Sequence, residues 1–299
     1  MSLQIRCCVI LAMFLGLSTI LAQDSEESAL AELKKIQANV LTPKDDNGKT
    51  YYDISLRGVK LNAGTIKSLA KIKNLRNVMI QDESLTDANF SDLAKIESLD
   101  QLAIISGKLT PKAIKELAAS KTLSHLRLLG NVTNDCLKEL VDFPNLKTLY
   151  VQSSAMNKEG LVQVAKIKSL TRLDLDTSAS TAWFKNLAAC KNLEYLTIYN
   201  LNFPPKGGES FAQLSGLTNL NTLFITSIEL KDTHVKQMTG LKTLKSLSLG
   251  SNGITDASVA DLSKLTNLES LDLFTTTITK AGVTKLKAAL PKCKITPPM

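Results

Sequence analysis

The sequence is poor in the side chains that most often carry chemistry, with two histidines and five cysteines in 299 residues. His125 and His234 stand in no metal-ligand spacing such as H-E-x-x-H, and no two cysteines have zinc-site spacing. It has no G-x-S-x-G elbow, phosphate-cradling glycine loop or dinucleotide fingerprint. An enzyme is therefore the least favoured reading, and no cofactor or metal is expected. Aromatics make up only 5%, so aliphatic residues, chiefly leucine, have to fill the core. That suits a thin repetitive core better than one globular centre. No apolar run after residue 22 could cross a bilayer. The net charge of +8 is modest, and the lysines are spread along the chain. Without a basic tract that could track phosphates, no nucleic-acid partner is expected.

Residues 1–22 have a different character. Arg6 is their only charge, Cys7 to Ala22 is apolar or small, and Gln23-Asp-Ser-Glu-Glu-Ser28 opens a polar stretch. This is the layout of a secretory signal cut after Ala22. Its sixteen-residue apolar run is short of the ~20 a membrane span needs. The expectation is an exported protein, secreted or periplasmic, with no membrane span in the mature chain. Cys7 and Cys8 leave with the signal and precede the apolar run, unlike a lipid-attachment cysteine. Cys136, Cys190 and Cys293 remain, and an odd count leaves at least one thiol unpaired.

What the sequence has in abundance is self-similarity. L-x-x-L-x-L recurs with conservative swaps, from Leu75-x-x-Val78-x-Ile80 through Leu149 and Val151 to Leu268-x-x-Leu271-x-Leu273. An earlier unit starts at Tyr51 with Ile54 and Leu56. The ten starts are 23 to 27 residues apart. After each strand pattern comes a turn apolar such as Leu85, Leu109, Ile254 or Ile278. Apolars at helical spacing follow, such as Phe90, Leu93 and Ile96. Each unit thus reads as strand, turn and helix. Thr86-Asp87 and Thr255-Asp256 fall at helix starts, where the aspartates are expected to act as caps. His234 opens a repeat helix and is expected to be solvated. Cys190 takes a core position, and Trp183 is expected to fill volume in a unit with no large turn apolar.

These units resemble the leucine-rich repeat family, with the length and helix pattern of its ribonuclease-inhibitor-like and cysteine-containing bacterial types. The resemblance covers residues 51–295. It implies an α/β fold, a solenoid or horseshoe with a parallel sheet on the concave side and helices on the convex side. Many family members carry a buried asparagine ladder, but here Asn252 is in register and Asn131 only near it. Ser154, Ser178 and Thr276 stand elsewhere in the series.

A solenoid needs caps. Residues 23–50 read as an amphipathic helix followed by a hairpin turning at Asn47-Gly48. Residues 51–299 read as ten repeats with a short C-terminal cap. Asn202-Phe-Pro-Pro-Lys-Gly-Gly208 is an insertion in the seventh unit.

Function then has to come from a surface. Alternation turns the fourth and sixth positions inward and the third, fifth and seventh outward. On that outer face the middle units carry Arg127, Tyr150, Arg172, Asp174, Tyr195, Tyr199 and Phe224. Tyrosine and arginine dominate binding hot spots. The expectation is a protein partner on this face, with a carbohydrate or cell-envelope polymer, or a purely structural envelope role, as alternatives.

Overall fold

The computed structural model describes residues 26–62, 64–176, 184–199, 211–226, 230–250 and 253–298. The signal reading of residues 1–22, Trp183, Asn252 and the Asn202–Gly208 insertion lie outside these.

The apolar spacing produces one sheet of twelve strands, in chain order from end to end. The strands are β1 (Asn39–Leu41), β2 (Tyr52–Arg57), β3 (Leu75–Gln81), β4 (Gln101–Ser106), β5 (His125–Gly130) and β6 (Thr148–Gln152). They continue as β7 (Arg172–Asp176), β8 (Tyr195–Tyr199), β9 (Thr222–Thr226), β10 (Ser246–Ser248), β11 (Ser270–Asp272) and β12 (Lys294–Thr296). From β2 onward every pairing is parallel, because a turn and a helical segment return the chain to the same end of the sheet each time. The register keeps equivalent positions side by side, as in Leu126↔Leu149, Leu149↔Leu173 and Leu173↔Leu196. The fold is an open leucine-rich repeat solenoid with the sheet on its concave side.

Each repeat contributes its fourth- and sixth-position aliphatics to one continuous core. Leu149, Val151, Leu173, Leu196, Ile198, Leu223 and Ile225 are fully buried. A leucine buried in this way contributes ~1.5–3 kcal/mol relative to leaving it exposed. Helices supply the facing layer, through residues such as Ile114 and Leu117 or Leu161 and Val164. At the N-terminal end, residues 26–35 are helical, with Ala29 and Leu33 buried. The antiparallel strand β1 then covers the side of β2. Gly48 takes φ +78° in the intervening turn, where Asp45 Oδ1 accepts from the backbone N–H groups of Asn47 and Lys49.

Adjacent repeats are tied together by two side-chain ladders. One uses the residue just before each strand's first leucine. Ser98, Thr122, Ser169 and Thr243 donate to the carbonyls of Leu75, Leu99, Leu146 and Leu220, the equivalent leucines one repeat earlier. Where that residue is asparagine, the longer side chain reaches further back. Asn145, Asn192, Asn219 and Asn267 donate to the carbonyls of Lys121, Lys168, Lys191 and Lys242. Each rung satisfies a carbonyl that the strand ladder leaves over.

The second ladder corrects the reading of the helix-start aspartates. The caps are the threonines: Thr110, Thr133, Thr255 and Thr279 each accept from a backbone N–H of their own helical turn. The acidic residue after the threonine reaches to the next repeat instead. Asp87 accepts from the Thr110 hydroxyl at 2.7 Å, and Asp256 from Thr279 N at 2.8 Å and Oγ1 at 2.6 Å. Asp232, which follows Lys231, takes Thr255 N, Thr255 Oγ1 and Ser258 Oγ; burial pushes its carboxyl up, but these bonds together hold it below the usual carboxylate range. Asn134 and Asn157 make the equivalent rung. Gly160, three residues after Asn157, leaves room for this rung, since a Cβ there would stand 2.6 Å from Asn134 Oδ1.

His234 is not simply solvated. It is half-buried, its Nδ1 accepts from Lys231 N at 3.0 Å, and its ring lies 6.1 Å from that of Phe211. Burial, helped by Lys231, lowers its pKa below the ordinary imidazole value.

Cys136 and Cys190 are both buried free thiols, while Cys293 is half-buried. Burial pushes the Cys190 thiol up to about 11, leaving almost no thiolate at neutral pH. The folded protein should therefore react with a maleimide at Cys293 well before Cys136 or Cys190, and all three should react in denaturant. Peptide mass mapping after timed labelling reads this directly. Equal labelling rates at the three sites in folded protein would show that the repeat interior is more open than described.

Candidate functional site

Strands β5 to β9 bring the outward residues of five repeats into one patch. At ~4.8 Å per strand step this patch is roughly 19 Å across. The register sets Arg127 beside Tyr150, Tyr150 beside Asp174, Asp174 beside Thr197, and Thr197 beside Phe224. Arg172 lies beside Tyr195, and Asp176 beside Tyr199.

Two cross-strand stacks organise this surface. The Arg127 guanidinium sits 4.7 Å from the Tyr150 ring centroid, and the Arg172 guanidinium 5.8 Å from that of Tyr195. Both distances are within the range of cation–π attraction. The two arginines differ in what else they hold. Arg172 donates through Nε to Asp174 Oδ2 at 2.8 Å, and this bond raises its pKa further. Arg127 has no carboxylate within ion-pair distance among the described residues. Tyr150 Oη reaches Asp176 Oδ2 at 3.4 Å, which Gln152 Nε2 also approaches at 2.9 Å. Desolvation, reinforced by Asp176, raises the Tyr150 phenol above its usual pKa, so it stays a neutral donor at physiological pH.

Not every outward residue is accessible. Tyr195, Tyr199 and Phe224 are 41%, 37% and 36% exposed, and Arg127 and Arg172 are also exposed. Tyr150 is half-buried between its neighbours. Asp174, expected among the surface residues, is only 7% exposed. Alternation turns it outward, but the Arg172 side chain of its own strand is bonded onto it and closes it off. Thr197 beside it is buried as well. Asp174 and Thr197 therefore form the floor of the patch. Arg127, Arg172 and the three exposed aromatics stand around them. His125, Arg127, Thr148, Tyr150, Arg172, Asp174 and Tyr199 line a shallow depression of about 380 Å³.

Sequence reasoning missed one residue of this kind. Phe274 follows β11 at its seventh position, on the same side as Tyr199, and is 40% exposed. The register of the tenth unit was enough to find it. Between the two lies a plain stretch on β10, where Ser248 is buried and donates to Asp272 Oδ2 at 2.9 Å. Among the described residues no cluster of histidine, cysteine or acidic side chains is arranged to hold a metal. No helix among them is long and apolar enough to cross a membrane.

Comparison with known proteins agrees with this geometry. The family model described as Leucine Rich repeats (2 copies) matches residues 242–286. No curated protein sequence matches the chain. Among solved structures, the chain is similar to TLR13 in its complex with ssRNA13, with a TM-score of 0.55 and 22% identity over 77% of this chain and 33% of that one. It is also similar to an internalin (InlF) from Listeria monocytogenes, with a TM-score of 0.46 and 16% identity over 89% of this chain and 94% of that one. A leucine-rich repeat protein from Leptospira interrogans gives a TM-score of 0.48 and 19% identity over 77% and 62%. The chain thus spans a third of TLR13 and under two thirds of the Leptospira protein. At 22% identity the likeness to TLR13 is one of fold. Residues 242–286 thus match the leucine-rich repeat model, and they stand in one continuous sheet with the repeats before them, built on the same strand, turn and helix.

Proposed function

We propose that this protein is an exported, non-enzymatic binding protein that holds a protein partner on its concave face. The contact centres on Arg127, Tyr150, Arg172, Tyr195, Tyr199 and Phe224, with Asp174 as the buried support of Arg172. The observation that carries this reading is the preorganised patch. Three aromatic rings are more than a third exposed on a parallel sheet, two arginines are stacked on tyrosines, and one of those arginines, Arg127, has no acidic partner among the described residues. Holding such side chains in place before binding reduces the entropy lost on association. A sugar is the second reading, favoured by the tyrosine-lined depression with its arginine and aspartate donors and acceptors.

The test is capture from the native source, with wild-type protein and a Tyr150→Ala/Tyr199→Ala variant as baits. A protein species retained by the first and lost from the second supports the reading. A species released by glycosidase, or insensitive to the tyrosines, overturns it. Export is tested separately by N-terminal sequencing of native material. A start near Gln23 is expected, whereas Met1 or Ser2 on exported protein would refute export through a cleaved signal.

A further inference from the structure

The charge of the chain is not shared evenly along the solenoid. Residues 273–299 hold five lysines and no aspartate or glutamate, so five of the chain's eight net positive charges sit on the last repeat and its cap. Lys280, Lys285 and Lys287 lie on the closing helix Lys280–Ala289, Lys292 in the turn after it, and Lys294 on β12. All five are exposed, and none is ion-paired among the described residues. The carboxylates of the preceding turns are already engaged. Asp256 accepts from Thr279, and Asp272 from Ser248 and the backbone of Phe274. Lys280 and Lys287 are two turns apart on one flank of the helix, with Lys285 on the other. Ala281, Thr284 and Ala288 between them are exposed and small, so among the described residues this face of the helix brings the lysines to a flat surface without a bulky side chain between them.

The residue types select the kind of anion. After Phe274 the chain has no arginine and no aromatic residue. It therefore lacks the planar fork that grips one phosphate in fixed geometry and the rings on which bases stack. Lysine alone is a mobile point charge, suited to a fluid array of headgroups with no fixed positions. We infer that the C-terminal end of the solenoid docks on an anionic lipid bilayer through these five lysines. Their place at the terminal repeat leaves the concave patch on β5–β9 free.

The experiment is vesicle co-sedimentation of the full chain, with 3:1 phosphatidylcholine–phosphatidylglycerol vesicles compared with phosphatidylcholine alone. Binding to the anionic vesicles should be at least tenfold tighter at 50 mM salt and should largely disappear at 500 mM, where charges are screened within a few ångströms. Each lysine lost near such a surface should weaken binding about fivefold. Lys285→Gln/Lys287→Gln/Lys292→Gln should therefore bind on the order of a hundredfold more weakly. Lys34→Gln/Lys35→Gln, at the other end of the solenoid, should bind as wild type does. Because the three substituted lysines are exposed and make no ion pair among the described residues, the circular dichroism melt of the triple variant should match that of wild type. Equal binding by the triple variant and wild type overturns the inference, as does equal binding to both vesicle types. Lysine-dependent binding to a 30-nucleotide RNA or DNA that is tighter than to the vesicles also overturns it, by assigning the cap to nucleic acid.

Discussion

Replacing Gly130 with alanine is expected to destabilise the protein by ~3 kcal/mol, the upper range for forcing a side chain into a disfavoured backbone conformation. Gly130 closes β5 with φ +116°. A Cβ there would collide with the Ser106 carbonyl oxygen and come within 2.8 Å of the Ser106 carbonyl carbon. The obstacle is backbone of the neighbouring strand, which cannot rotate aside as a side chain could. The reason lies in the repeat length: the step from Leu123 to Leu146 is one residue short. The chain makes up the missing residue by turning sharply here, with Asn131 N bonded to Ser106 O and Val132 N to Gly130 O. Gly240→Ala is the control. It has an ordinary backbone conformation and meets only Ser215 Cβ at 3.9 Å, so it should change stability by no more than ~0.5 kcal/mol. Differential scanning calorimetry should show Gly130→Ala melting several degrees below Gly240→Ala. Coincident melts of the two variants would remove the argument.

Once a partner is in hand, Tyr199→Ala and Arg127→Ala should each weaken binding by ~2 kcal/mol or more, roughly thirtyfold in dissociation constant. Both side chains are exposed, so neither change should move folding stability by more than ~0.5 kcal/mol. Arg127 should be sensitive because its charge has no ion-pair partner among the described residues, so a partner carboxylate would gain an ion pair without displacing one of theirs. Suitable controls on the same sheet are Ser246→Ala and Ser270→Ala, both half-exposed. Ser248 is unsuitable, because it is buried and bonded to Asp272. Calorimetric titrations that return wild-type affinity for both Tyr199→Ala and Arg127→Ala would move the contact off this face.

The strands were readable from the leucines because inward burial enforces a period of two within each strand, and stacking enforces one of about 24 between strands. Less was readable at the joints. Thr255 and Asp256 are adjacent polar residues, and sequence alone does not say which turns to its own helix and which to the next repeat. The series Ser98, Thr122, Asn145, Ser169, Asn192, Asn219, Thr243 and Asn267 recurs at one position in eight units. In sequence alone, a short polar residue before a strand looks like an ordinary turn. Its role shows only when the carbonyl it meets, about 24 residues back, is placed beside it. Asp174 illustrates the limit of alternation, which gives the face a side chain leaves from but not whether a neighbour such as Arg172 will lie across it.

Those rungs also have a consequence for the molecule's length. Every one joins a repeat to its immediate neighbour, from a Ser, Thr or Asn side chain to a backbone carbonyl of the repeat before. A whole unit spliced in between β9 and β10 would bring its own donor and present its own carbonyl, leaving no bond on either side without a counterpart. The solenoid is in this sense modular. Its extent could be lengthened or shortened by gene duplication or excision in steps of ~4.8 Å along the sheet, with the middle strands unaware of the change.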